Sequence, residues 1–226
     1  MTRSTGRRTR PPLYWIARDV IAEEFPDVEE ALTEPNGLLA VGGDLSSDCL
    51  LSAYRHGIFP WYSEDQPILW WSPDPRCVLF PEDLKVSRSL RATLRKDRFQ
   101  VSLDRAFRQV MAGCAGPRRG QPGTWVTPEL IEAYDRLHRL AYAHSVECWR
   151  DGRLVGGLYG VALGRVFFGE SMFAQEADAS KVCLVYLVEH LKERGYVLLD
   201  CQIQNDHLAR LGAVEIPESG YLKLLE

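Results

Sequence analysis

Asp200 and Gln202 flank Cys201 in the apolar run Leu198-Leu199-Asp200-Cys201-Gln202, which reads as part of a buried strand from Tyr196 to Gln202. Side chains alternate across a strand, so Asp200 and Gln202 are expected on one face and Cys201 on the other. By the same rule Glu170 and Met172 share a face of the strand Val166–Phe173. Gly156, Gly157, Gly160 and Gly169 leave the adjoining strands nearly bare, and glycine within a strand marks close approach of a ligand or another backbone. Two acids, an amide and a thioether around a bare surface are groups that orient a substrate and stabilise charge. The same pattern also fits Asp200 and Gln202 capping the final short helix or satisfying a loop.

A second cluster offers stacking. Trp61, Trp70 and Trp71, three of the six tryptophans, fall in one short stretch broken by Pro60, Pro67, Pro73 and Pro75. Prolines exclude an ordinary helix or central strand there and fix a loop, the usual place for recognition groups. Flat rings with few torsions suit a nucleobase. Trp70 and Trp71, beside Ile68 and Leu69, also fit a core-capping role; Trp61, between Pro60 and Tyr62, is the ring expected on display.

The elements that must position these groups fall into two parts. Gly113, Gly116, Pro117, Gly120, Pro122 and Gly123 form a breaker, which places a division near residue 120. The expected organisation is a basic arm at 1–12, an N-terminal domain at 13–120 and a catalytic domain at 121–226. Before the breaker lie a short helix near Cys49–Arg55 and a second near Ser87–Arg95. Val86, Leu90 and Leu94 form the apolar stripe of the second, while Lys85, Arg88, Arg91 and Arg95 line another side. Four cations without an intervening acid repel one another unless a polyanion neutralises them. After the breaker Thr127-Pro128-Glu129 opens a helix to about Tyr142, with Leu130, Tyr134, Leu137 and Ala141 on its buried side. Strands Ser145–Arg150 and Leu154–Leu163 are joined by Asp151-Gly152, a hairpin signal. The strand at 166–173, a helix Ala179–Arg194 ending at Gly195, the strand at 196–202 and a short helix ending at Gly212 follow. This α+β (mixed α/β) order is that of a GNAT-type acyltransferase core, in which splaying strands open a cleft.

Composition bounds the function. The chain of 226 residues is 46% hydrophobic and 26% charged, as globular proteins are. No apolar run approaches the roughly 20 residues that cross a bilayer, and no secretory signal is read at the start. The six cysteines are scattered without a C-x-x-C pair, so a metal site or disulfide framework is not expected and reduced cytosolic thiols are. A net charge of −4 excludes a globally basic nucleic-acid binder, leaving a local patch that touches one end of an RNA.

The chain resembles the leucyl/phenylalanyl-tRNA–protein transferase family over nearly its whole length. The matching runs are Glu34-Pro35-Asn36-Gly37-Leu38-Leu39, Gly42-Gly43-Asp44-Leu45, 57–61, 70–76, Gly123-Thr124-Trp125, Ala143-His144-Ser145-Val146-Glu147, 156–160, Gly169-Glu170-Ser171-Met172-Phe173 and Asp200-Cys201-Gln202. The resemblance implies a GNAT-like fold and peptide-bond formation. The α-amine of a protein beginning with Arg or Lys attacks the aminoacyl ester of a tRNA, marking that protein for N-end-rule degradation. It implies Asp200 and Gln202 as catalytic residues: Gln202 holds the attacking amine, and Asp200 orients Gln202 and helps pass the proton on. Glu170 is expected to pair with the acceptor cation. Leu158, Phe167, Met172 and Leu199 match the pocket for the donor Leu or Phe (with Met a further donor), and the adaptable thioether of Met172 suits both shapes. The terminal adenosine is expected on Trp61 or Trp125, with Tyr54, Tyr134 and Asn205 nearby, and the Lys85, Arg88, Arg91 and Arg95 face on tRNA phosphates. No cofactor, metal or membrane partner is implied, and the location is cytoplasmic. The chain departs from the family's usual pattern at 174–177, where Ala174-Gln175-Glu176-Ala177 replaces a Ser-Arg sequence, and at Leu158, often Met.

Three rivals keep part of this pattern. A peptidoglycan-type aminoacyltransferase shares donor and fold but needs no acid for an Arg or Lys acceptor. A CoA-dependent acetyltransferase needs a glycine-rich pyrophosphate loop, and Gln175–Lys181 contains no glycine. An RNA-binding adaptor would keep Trp61, Trp125 and the basic helix without needing Asp200 beside Gln202.

Overall fold

The computed structural model describes residues 13–17, 25–116 and 125–226. The basic arm expected at 1–12 and most of the glycine-proline breaker lie outside them. A first, four-stranded sheet gathers the early strands in the order β1-β2-β4-β3. They are β1 (Tyr14–Ile16), β2 (Leu38–Gly42), β3 (Phe59–Pro60) and β4 (Leu69–Trp71). Between β2 and β3 runs α1 (Ser47–Arg55), whose first turn is closed by the Ser46 side chain accepting from the Cys49 N–H. Trp70 is fully buried and its indole N–H donates to the Gly42 carbonyl at 2.9 Å, so it is a core ring. Trp61 keeps 41% of its surface, and the Trp71 indole N–H donates to its carbonyl at 2.7 Å. The prolines thus display one of the three rings.

The second sheet has seven strands. It takes in β5 (Arg76–Leu79) and β6 (Gln100–Leu103), between which lies α2 (Arg88–Arg95), N-capped by Ser87. Next come α3 (Phe107–Ala115) and α4 (Pro128–Arg139), the latter capped by Thr127 with Pro128 at its first position. Leu130, Tyr134 and Leu137 are buried, whereas Ala141 lies past the end of α4 at φ 61° and is exposed. The hairpin β7 (Ala143–Arg150) and β8 (Arg153–Leu163) turns on Asp151 and Gly152, both at positive φ as that turn requires. Then follow β9 (Val166–Ala174), α5 (Ala179–Glu193), β10 (Leu198–Gln202), α6 (Asp206–Leu211), β11 (Val214–Ile216) and α7 (Glu218–Leu225). The strand order is β11-β5-β10-β9-β8-β7-β6. From β7 to α6 this is the GNAT-type order read from the sequence.

The division expected near residue 120 is not where the sheets part. β5 and β6 precede it yet pair within the large sheet, β5 against β10 and β6 against β7. The sheets part between β4 and β5. Helix α3 was also not anticipated: Gly113 sits inside it, where the ring of Phe173 lies 2.6 Å from any Cβ it could carry. That glycine serves helix-on-sheet contact rather than a turn.

Two irregularities open the large sheet. β10 runs parallel to β9 in the register Leu198↔Val166 to Asp200↔Phe168, and there the ladder stops while β9 continues to Ala174. In β9 the pairing with β8 passes from Gly160↔Gly169 to Tyr159↔Ser171, so Glu170 is an extra, bulged residue. In β10 the pairing with β5 slips between Asp200 and Gln202, and Gln202 adopts φ 62°.

Candidate active site

The gap beyond the last β9–β10 pair is a cavity of about 300 Å³. Of the residues assigned from the sequence, Leu158, Met172 and Leu199 form its apolar wall. Glu170 and Gln202 supply its polar side, and Trp61, Trp125 and Asn205 border it. Leu184 and Leu187 of α5, which sequence reasoning did not assign, add to the apolar wall. Only their place on a helix facing the splay could have signalled them.

Several assignments are corrected by geometry. The slip at Gln202 breaks the alternation, so Asp200 and Gln202 do not share a face. Asp200 is fully buried and faces away from the cavity, where Arg76 donates from Nε at 2.9 Å and from Nη2 at 2.7 Å. The Tyr221 hydroxyl donates to the same carboxylate at 2.6 Å. Asp200 reaches Gln202 through the backbone, accepting its N–H at 2.8 Å. The bulge likewise separates Glu170 from Met172: Glu170 turns to Tyr54 and Tyr134, while Met172 packs with the cluster that contains Leu158 and Leu199. Phe167 is not part of the wall; its ring fills the space left by Gly160, whose Cβ would lie 2.4 Å from it and 2.2 Å from the Phe168 carbonyl. Gly156 and Gly157 are similarly closed by Ala179 and by Val110 with Phe173, so only Gly169 borders the cavity. Bareness at the other three accommodates the protein's own core.

Tyr54 and Tyr134 do not reach the cavity as an adenosine site would require. Both are fully buried, their hydroxyls hydrogen-bonded to each other. They hold Glu170: Tyr54 donates to Oε1 at 2.7 Å and Tyr134 to Oε2 at 3.2 Å. The Gln202 amide donates from Nε2 to Oε1 at 3.0 Å. An ionised carboxylate only accepts, so with Glu170 in that form the bond sets which end of the amide faces it and leaves the Gln202 carbonyl without a donor among the described residues. Burial pushes the Glu170 carboxyl up to about 7; the nearby Asp200 charge adds to this, and the tyrosine hydrogen bonds and Arg76 oppose it. Among the described residues it is the only acid on the cavity wall. Asn205 spends its side-chain carbonyl on the Leu208 N–H, capping α6, so its NH₂ group is what remains for a ligand.

Lys85, Arg88, Arg91 and Arg95 are exposed along α2 and its approach, and no ion pair engages them among the described residues. Among those residues no His/Cys/Asp/Glu group has the arrangement of a metal site, and no helix is long and apolar enough to cross a membrane. All six cysteines are free thiols.

Comparison with known proteins agrees with the geometry. Residues 78–226 match the family described as leucyl/phenylalanyl-tRNA protein transferase, and residues 43–74 match that family's N-terminal domain. A leucyl/phenylalanyl-tRNA–protein transferase of Aromatoleum aromaticum is 62% identical over 198 residues, covering 88% of this chain and 84% of the relative. One of Azotobacter vinelandii is 60% identical over 209 residues, 92% of each. Among solved structures, a GCN5-related N-acetyltransferase from Kribbella flavida is similar at a TM-score of 0.40 and 14% identity, covering 73% of this chain and 58% of its own. L-PGS from Bacillus licheniformis reaches 0.42 at 11% identity, over 74% and 53%. At that level neither structure bears on function. Relatives and site together define an aminoacyltransferase. The chain belongs to the leucyl/phenylalanyl-tRNA protein transferase family, and not to the peptidoglycan-type enzymes that shared part of its pattern.

Proposed function

We propose that the cavity is where a leucyl or phenylalanyl group leaves the 3′ end of its tRNA for the α-amine of a protein beginning with Arg or Lys. The product enters N-end-rule degradation, and the setting is the cytoplasm. The donor side chain occupies the wall of Leu158, Met172 and Leu199, which makes no polar demand and so accepts branched, aromatic and thioether side chains alike. The terminal adenine stacks on Trp61 or Trp125, with the Asn205 amide at its edge. The exposed cations of α2 meet the acceptor-stem phosphates.

One observation carries the reading: Gln202 lines the cavity and donates its amide N–H to Glu170, which leaves its carbonyl as the acceptor for an amine N–H. The attacking nitrogen bonds to the ester carbonyl carbon, the bond to the ribose oxygen breaks, and that oxygen takes a proton as the amine loses one. An α-amine with an ordinary pKa near 8 is neutral often enough to attack without a strong base. What the site supplies is placement and a charge partner. Glu170, the single acid on the wall among the described residues, attracts the acceptor's positive charge, and the arriving cation in turn favours its ionised form. Asp200 acts through the Gln202 backbone, away from the reacting atoms.

Incubation with Leu-tRNA or Phe-tRNA and an Arg-starting peptide should add the mass of one leucyl or phenylalanyl residue to the peptide amine. An acylated peptide from either donor in the absence of this chain, or none in its presence, contradicts the reading.

A further inference from the structure

Arg76, the partner of Asp200, is a buried cation held on several sides. It lies at the start of β5, beside the slipped end of β10, and is 1% exposed. Its guanidinium is held between two rings, 4.9 Å from the centre of Phe59 and 4.6 Å from that of Tyr221. Phe59 itself borders the cavity. The fork reaches both oxygens of Asp200, and the Tyr221 hydroxyl completes the pair, accepting from Arg76 Nη2 at 3.3 Å while donating to Asp200. Burial works against the Arg76 charge, but Asp200, Tyr221 and Glu218 together outweigh it and hold the guanidinium protonated.

The Asp200 oxygen that takes Arg76 Nε is the one that takes the Gln202 N–H. Gln202 sits at φ 62°, a left-handed conformation that a residue with a side chain adopts at a cost. A straight continuation of β10 would instead turn the Gln202 side chain onto the Asp200 face, away from Glu170. We infer that Arg76, with Tyr221, is a positioning residue of the transfer reaction: through Asp200 it fixes the turn that presents the Gln202 amide to Glu170 and its carbonyl to the amine. This rests on the functional reading above and adds residues to it that touch no substrate.

An ion pair kept for stability alone would affect folding without selectively changing the chemical step or its pH dependence. The Arg76 and Asp200 charges also act on Glu170 in opposite senses, so removing the cation leaves Asp200 to push the Glu170 carboxyl higher.

The test uses Tyr221→Phe, Arg76→Lys and Arg76→Gln with aminoacyl-adenosine as donor and an Arg-starting peptide. Tyr221→Phe and Arg76→Lys should lower kcat by roughly tenfold, the scale of one charge-assisted hydrogen bond, with donor KM unchanged. Arg76→Gln should also move the acid limb of the rate to higher pH, and Arg76→Lys should restore that limb. If Arg76→Gln does not fold, the other two decide. Folded Tyr221→Phe and Arg76→Lys proteins with wild-type kcat would overturn the inference. An inactive wild type would instead overturn the function on which it rests.

Discussion

Glu170 is the residue at which the account is most exposed to measurement. Its carboxyl sits near 7 against an ordinary 4.5, chiefly through burial. For an acid raised on folding, the native state holds a proton that the unfolded chain has released between those two values. The contribution to stability is therefore full below the ordinary value and declines as pH rises through that window. Function runs the other way, because the ionised form attracts the acceptor. The pH dependence of kcat/KM reports ionisations of the free enzyme and free substrate. Two groups must each lose a proton, Glu170 and the α-amine. Below neutrality the logarithm of kcat/KM for an Arg-starting peptide should rise with a slope approaching about two. In Glu170→Gln the slope should fall to about one, and the loss of stability between mildly acidic and neutral pH should flatten. Identical profiles for the two proteins would remove Glu170 from the acceptor step.

At the scale of elements, the proposed contact with the tRNA body falls to one helix. Helix α2 exposes Arg88, Arg91 and Arg95, with Lys85 just before it, on a protein of net charge −4. Phosphate contacts contribute a salt-sensitive term independent of sequence, whereas a stacked base contributes about 1–3 kcal/mol whatever the stem. Arg88→Glu with Arg91→Glu should weaken different aminoacyl-tRNAs alike and flatten the salt dependence of binding, while sparing aminoacyl-adenosine. Trp125→Ala should impair both donors. Equal losses for the full tRNA and the minimal donor in the charge-reversed protein would place the phosphates elsewhere. Caps, hairpin turn and periodic stripes made α2, α4, α5 and the strands from β7 to β10 legible in the sequence, because each is set by neighbours within a few residues. The two irregularities were not. Alternation assumes an unbroken strand, whereas Tyr54 and Tyr134 hold the bulged Glu170 and Arg76 holds Asp200 beside the Gln202 turn, from 36 to 124 positions away. The same distance hid the roles of the two tyrosines and gave Asp200 a face that it does not occupy.

At the scale of the whole molecule, the early chain is built into the catalytic core. β5 lies between β10 and β11, Trp61 comes from the small sheet, and Tyr54 from α1 holds Glu170 from behind. On the proposed function, donor recognition and the transfer site therefore share one cavity. In that reading its apolar wall takes the donor side chain, and Glu170, its single acid among the described residues, takes the acceptor's cation. The most direct test of that arrangement compares peptides beginning with Arg and with citrulline, its uncharged isostere, in the wild-type protein and in Glu170→Gln. Single-turnover rates with Phe-tRNA should strongly favour Arg in the wild type, and Glu170→Gln should bring the two peptides close together while leaving tRNA binding intact. A Glu170→Gln protein that still discriminates Arg from citrulline as the wild type does would contradict the account.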